Sequence, residues 1–88
     1  MAKHPRTVSD YKGTLDELAH AIGNMTYDQT AAFIEKLADD LKRQGEADAG
    51  RGREQLAARL HHAAECLYAA REQVDLAWKV CEPYMKNP

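Results

Sequence analysis

A 29-residue segment without glycine or proline, from Glu54 to Glu82, constrains the fold more than any other feature of this chain. Its apolar and small residues recur at alternating steps of four and three. They are Leu56, Leu60, Ala63, Leu67, Ala70, Val74, Ala77 and Cys81, and Tyr84 continues the series. This spacing keeps them on one side of an α-helix, as in the seam between paired helices. The segment is predicted to be a long helix, and its core-facing side to be this seam.

The predicted seam pairs a row of large residues with a row of small ones. The large row is Leu60, Leu67 and Val74, and the small row is Ala63, Ala70 and Ala77. Small residues allow a partner helix to approach closely, while the large row fills the grooves beside it. A neighbouring row widens the apolar side toward the C-terminal end. Its members are Ala57, Ala64, Trp78 and Met85.

Two shorter helices are predicted before the long one. The first covers about 15–22, because Thr14 and Glu17 form a capping-box pattern and Gly23 follows the apolar residues. The second covers about 27–44, where Thr26 and Gln29 repeat the capping pattern. Its core-facing residues are expected to be Tyr27, Thr30, Ile34, Leu37 and Leu41. An ion pair between Asp39 and Arg43 is expected on its outer side.

The ends of the two longer helices are inferred from glycine and proline. Gly45 opens a segment with three glycines that runs to Arg53, so the second helix is predicted to end at about residue 44, and a loop or a helix frayed by glycine is predicted to follow. Pro83 cannot continue a regular helix, so the long helix is predicted to cover about 54–82. Residues after Glu82 are expected to turn away or to form a kinked last turn.

These elements predict an all-α, three-helix arrangement. The second and long helices form a hairpin, and the short leading helix is expected on the C-terminal part of the long one, beside Val74, Trp78 and Cys81. Residues 1–13 are predicted to be a flexible tail, and residues 14–88 a single helical domain. A second copy covering part of the seam is the alternative, so a homodimer stays possible.

Charge and cysteine content limit the classes of partner and the cellular compartment that the sequence predicts. The 88 residues carry a formal net charge of −2, which gives no overall attraction to nucleic acid or to acidic membranes. The N-terminus lacks the apolar stretch of a signal peptide, and no segment has the length and apolarity of a membrane span. Cys66 and Cys81 lie about 22 Å apart along one helix, too far for a disulfide. A cytoplasmic protein with reduced thiols is expected.

No catalytic residue, cofactor or metal site is predicted. His62 and Cys66, and likewise His61 and Glu65, are spaced to meet on adjacent turns, but each pair supplies two ligands where structural zinc needs about four. A dimer would have to supply the others. Phosphate-binding loops and nucleophile motifs are missing from the sequence. A non-enzymatic protein is therefore expected.

The favoured function is binding of another protein through a helical face. Acidic residues of the second helix offer a negative surface, and apolar residues of the long helix exceed what one hairpin can cover. The expected partner-binding residues are Asp28, Glu35, Asp39, Asp40, Tyr68, Leu76, Trp78 and Tyr84. The size is typical of small regulatory or inhibitory accessory proteins of bacteria or phages.

The alternative is association with nucleic acid through the end of the hairpin. Basic residues cluster on either side of the predicted loop, where they would contact phosphates. They are Lys42, Arg43, Arg51, Arg53 and Arg59. Acidic residues are interspersed among them, and aromatic residues for base stacking are missing nearby. Nucleic acid is therefore the less favoured partner.

Overall fold

The computed structural model describes residues 4–85, which form three helices joined by short connections. Helix α1 covers Leu15–Gly23, α2 covers Tyr27–Gly50 and α3 covers Glu54–Met85. Helices α2 and α3 pack against each other as an antiparallel hairpin, and α1 precedes it. The predicted all-α arrangement, a hairpin with a short leading helix, is confirmed.

Helix α1 begins with the predicted capping box. The backbone N–H of Glu17 donates to Oγ1 of Thr14 at 3.1 Å, and the backbone N–H of Thr14 donates to Oε1 of Glu17 at 2.8 Å. The helix ends where the N–H of Asn24 donates to the carbonyl of His20. The corresponding box at the start of α2 does not form, because the Thr26 side chain makes no capping hydrogen bond and interacts with Asp28 instead. The backbone N–H of Gln29 donates to the carbonyl of Thr26.

The predicted position of α1 is wrong. Among the described residues, α1 packs against α2 and makes no close approach to α3. The hydroxyl of Thr30 donates to the carbonyl of Ile22 at 2.7 Å, and three residues connect the two helices. Thr30 lies about 100° around α2 from Ala31, which is buried in the hairpin. The short connection and this hydrogen bond therefore hold α1 to a side of α2 that does not face α3.

Both helices of the hairpin continue past their predicted ends. Helix α2 continues through Gly45 to Gly50, and only residues 51–53 form the turn. Gly45 is buried against α3, so packing outweighs the roughly 1 kcal/mol by which glycine disfavours a helix. Helix α3 continues through Pro83 to Met85. Pro83 is exposed, so water can reach the one carbonyl that its missing N–H leaves without a helical partner.

Small residues form the centre of the α2–α3 contact. Ala31, Ala38 and Gly45 of α2 are spaced by seven, as are Ala57 and Ala64 of α3, and all five are buried. A residue without a large side chain at every second turn lets the two backbones approach closely. The hairpin is therefore held by close backbone packing, with larger side chains at its two edges.

The predicted seam of α3 is rotated by one row. Ala57 and Ala64, expected only to widen the apolar side, face α2. The small row of Ala63, Ala70 and Ala77 lies at the edge or outside, and Leu56 is 47% exposed. The small residues of α2 pack against Ala57 and Ala64, because this pairing allows the closest approach of the two backbones. The large row of the seam (Leu60, Leu67 and Val74) is consequently only half-buried at the edge of the hairpin, and Ala70 and Ala77 are exposed.

Candidate functional site

The molecule is one layer of helices. Its Cα atoms extend over 53 × 29 × 14 Å, and the radius of gyration is 15.9 Å. A compact chain of this length would have a radius of about 12 Å. Domains bury their apolar side chains between two or more packed layers. Residues 4–85 form one such layer and supply no second one.

The accessible surface gives the size of this deficit. The chain exposes 7266 Å², whereas a compact monomer of 9.9 kDa would expose about 5,200 Å². The excess is roughly 2,000 Å². Within residues 4–85, the only buried apolar residues are alanines, and no large side chain is fully buried. The hairpin alone thus has a core of methyl groups.

One side of the hairpin is polar. Arg71 lies 2.6 Å from the carboxylate of Glu35 and 2.8 Å from that of Asp75. The hydroxyl of Tyr68 donates to the carboxylate of Asp39, and this hydrogen bond raises the pKa of Tyr68. The contacts of Arg71 with Glu35 and of Tyr68 with Asp39 cross from α3 to α2 on the same side and set the alignment of the helices, whereas the Arg71–Asp75 pair lies within α3.

The opposite side is apolar, and we refer to it as the apolar face. On each helix, a residue three positions after a central small residue points to the apolar side, as Ile34 does after Ala31. A residue four positions after it points to the polar side, as Tyr68 does after Ala64. Because the helices are antiparallel, both sets of apolar residues fall on the same side of the hairpin. The apolar face consists of Ile34, Leu37, Leu41, Leu56, Leu60, Ala63, Leu67, Ala70 and Val74, each of them half-buried or exposed. On α2 the same row continues from Leu41 to Asp48, three residues after Gly45, and the buried carboxylate of Asp48 pairs with Arg53.

Helix α1 extends this apolar surface at one end. Its side chains Leu15, Leu18 and Ile22 form an open groove with Phe33 and Ile34 of α2. No residue of α1 is buried, and Leu15 is 72% exposed. An amphipathic helix gains most of its stability by burying its apolar side. Helix α1 therefore depends on a further contact to cover that side.

The acidic residues predicted to bind a partner are engaged within the chain. Glu35 pairs with Arg71, and Asp39 accepts from Tyr68. Asp40 accepts from Gln44 and Arg43, which lower its pKa. Arg43 thus pairs with Asp40 at 2.8 Å, and the ion pair expected with Asp39 is wrong. Asp28 is half-buried, and hydrogen bonds from Thr26 and Gln29 lower its pKa.

The predicted aromatic and aliphatic partner residues do not lie on one surface. Tyr68 belongs to the polar side, and Trp78 is half-buried in the row that faces α2. Leu76 is exposed on the outer side of α3. Tyr84 is 78% exposed at the end of α3, in the same row as Ala70. Of the predicted partner-binding residues, only Tyr84 shares a row with the apolar face.

The basic residues also separate. Arg43, Arg51 and Arg53 line one groove around Asp48, whose buried carboxylate lies 3.3 Å from Arg53 and 3.9 Å from Arg51. Lys42 lines a different groove beside His61 and Tyr68. Arg59 lies near Gln55 on the far side of α3. The five residues expected to contact nucleic acid do not form one patch.

The histidine and cysteine residues fall into two environments. His62 lies 3.8 Å from Sγ of Cys66 and 3.8 Å from Glu65, at the exposed side of α3. His61 instead packs against Gly45, with Nε2 buried. Within residues 4–85, no three metal-ligating side chains come together. Cys66 and Cys81 are free thiols, as the sequence predicts.

The sequence indicates which residues form the apolar face, but helical periodicity alone does not show which apolar row contacts α3. Leu37 and Leu41 were assigned to the core of the hairpin, yet Leu37 is 42% exposed. The overlooked signal is the heptad of small residues at Ala31, Ala38 and Gly45, which competes with the larger residues for the contact with α3. Two such rows, one on each helix, indicate a close contact and leave the larger residues at its edge.

The sequence matches no protein-family model and no curated protein, and the fold matches no solved structure. Within the described residues, none of the three helices combines the length and apolarity that a bilayer crossing requires. Function is therefore inferred from the geometry of the chain.

Proposed function

We propose that this protein is a non-enzymatic interaction module that binds another protein through its apolar face. The observation that carries this proposal is the single helical layer with one predominantly apolar side. Contiguous exposed apolar surface of this extent is typical of protein–protein interfaces. A partner would supply the missing second layer and bury the leucine side chains that the hairpin leaves at its edge.

The polar side supports the same assignment. Its carboxylates already have partners inside the chain, so it has less unpaired charge to offer a basic protein. The apolar face makes its internal contact with α1 at one end, near Ile34, and Leu37 and Leu56 remain exposed. Binding by the apolar face is consequently favoured over binding by the acidic surface. The geometry gives no support to the nucleic-acid alternative, because its basic residues are dispersed.

A regulatory or inhibitory role fits a chain of 88 residues with no assigned reaction chemistry. Such a protein acts by occupying a surface of its partner. Its two free thiols favour a reducing compartment, so we propose that it acts in the cytoplasm.

Site-specific photo-crosslinking tests this proposal. A benzophenone amino acid replaces Ala70 on the apolar face, and in a matched variant it replaces Ala69 on the outer side of α3. Both alanines are exposed. Irradiation of cells that make the protein natively should give a discrete product from position 70 and not from position 69. Mass spectrometry identifies the crosslinked chain, and its binding is then measured with purified components.

Binding of the identified chain should be lost in Ala70→Glu and kept in Ala69→Glu. Equal products from both positions, or none from position 70, would contradict the proposal. So would binding that survives Ala70→Glu unchanged.

A further inference from the structure

We propose that the partner of the apolar face is a second copy of this chain, seated so that the two α3 helices run antiparallel. This inference rests on the proposed function and names its partner. The assembly is a closed pair of hairpins with the two apolar faces in contact. Each copy supplies the layer that the other lacks.

The predicted seam of α3 is complementary to itself in this orientation. Residues of the large row, such as Leu67, alternate along the helix with residues of the small row, such as Ala70. In an antiparallel pair, each layer of the seam combines a residue of one row with a residue of the other row from the second copy. Every layer then holds one large and one small side chain. A parallel pair would instead alternate layers of alanine with layers of leucine or valine and leave voids.

The apolar residues of α2 are centred at the same height. The contacts of Glu35 with Arg71 and of Asp39 with Tyr68 place residue 37 of α2 level with about residue 70 of α3. Residues 34, 37 and 41 therefore lie beside the midpoint of the seam. A two-fold axis near Ala70 would therefore place the seam of α3 against its copy and the apolar residues of α2 against theirs. An isologous interface requires this kind of self-complementary patch around its axis.

Charge does not oppose the pairing. The one charged residue in the rows of the apolar face on α2 is Asp48, at the end next to the turn, and it is already paired with Arg53. The row beside the face on the outer side of α3 is Arg59, Cys66, Gln73 and Val80. An antiparallel copy places Arg59 near Val80 of the other chain and Cys66 near Gln73. Like charges are not brought together, whereas like-charge pairs at an interface are costly.

The exposed area matches the need of a dimer. A standard interface buries about 800 Å² on each partner, and obligate dimers bury more. The chain exposes roughly 2,000 Å² more than a compact monomer, and this excess includes the extended residues 4–14 as well as the uncovered helices. An excess of this order accommodates a standard interface. Pairing two layers that are each 14 Å thick produces an ordinary two-layer helical bundle.

The mass of the purified full-length protein tests the inference. Sedimentation equilibrium over a concentration series should give about 20 kDa, twice the 9.9 kDa of the chain. Ala70→Glu, which places charge near the proposed axis, should weaken dimerisation at least 100-fold. Ala69→Glu adds the same side chain on the outer side of α3 and should leave the dimer unchanged. Circular dichroism checks that both variants keep their helices.

A wild-type mass of 9.9 kDa at every concentration would overturn the inference, whatever the variants do. Equal dissociation of both variants would also overturn it, and so would a mass that rises without limit. The proposed function is judged separately by the crosslinking. A monomer whose position 70 crosslinks to a different protein keeps the function and removes the second copy. A monomer without any specific crosslink removes both.

Discussion

The imidazole of His61 packs directly over Gly45, where the two long helices approach each other. A Cβ atom at position 45 would lie 2.6 Å from Cδ2 of His61 and 3.3 Å from the carbonyl oxygen of Ala57. A side chain at this position would therefore displace the His61 ring and press on the backbone of α3, so the neighbouring helix favours glycine here although the local sequence is typical of a helix end.

Gly45→Ala should destabilise the hairpin. Alanine is the better helix former by about 1 kcal/mol, but overpacking of a close contact costs about 1–3 kcal/mol. We expect a net loss of roughly 1 kcal/mol in the free energy of unfolding, measured by urea denaturation. Gly50→Ala is the matched control, because nothing lies within 4 Å of its Cβ, and it should be neutral or stabilising. Equal effects of the two variants would contradict the close contact.

Ala38→Leu should prevent the close approach of the helices. Ala38 is fully buried between α2 and α3, so a larger side chain must push the backbones apart. A loss of about 1–3 kcal/mol or more in the free energy of unfolding is expected. Ala47→Leu makes the same change at an exposed position of α2 and should alter stability by less than about 0.5 kcal/mol. A tolerated leucine at position 38 would show that the buried row is misplaced.

The hydrogen bond between Tyr68 and Asp39 should be visible in a titration. It raises the pKa of the Tyr68 phenol above the usual 10.0. The unfolded chain then loses this proton at lower pH than the folded chain, so the contribution to stability is complete below pH 10 and falls as the pH rises beyond it. NMR of ¹³C-labelled tyrosine should show Tyr68 ionising late, and Asp39→Ala should return it toward 10. An unchanged pKa in Asp39→Ala would contradict the contact.

Acid should loosen the start of α1. Hydrogen bonds from Thr14 hold the pKa of Glu17 below its usual 4.5. The stabilisation by this carboxylate is complete above that value and is lost as the pH falls through the lowered pKa. Backbone chemical shifts of α1 should therefore move toward coil values in acid. Thr14→Ala removes the capping box and should reduce α1 helicity at neutral pH; a normal α1 in that variant would show that the cap is unnecessary.

The prediction of α1 shows where sequence reasoning was sufficient and where it was not. Its start was found correctly, because a capping box involves residues three apart in the chain. Its packing position was wrong, because that depends on the Thr30 hydrogen bond to Ile22 and on which side of α2 is free. The same division holds for the candidate site. The apolar stripe of α3 was found, but its use inside the hairpin was misjudged.

The sequence by itself determined that the chain forms three helices and that α3 carries a continuous apolar stripe. These properties depend on residues within a few turns of each other, through backbone hydrogen bonding and helical periodicity. Only the tertiary structure decided that Ala57 and Ala64 face α2 and that Gly45 stays inside a helix. By apolarity alone the row of Leu60, Leu67 and Val74 would be chosen, since the row of Ala57 and Ala64 also contains Arg71. The close approach of the small residues on both helices decides otherwise, and it leaves the leucine row half-buried at the edge of the hairpin.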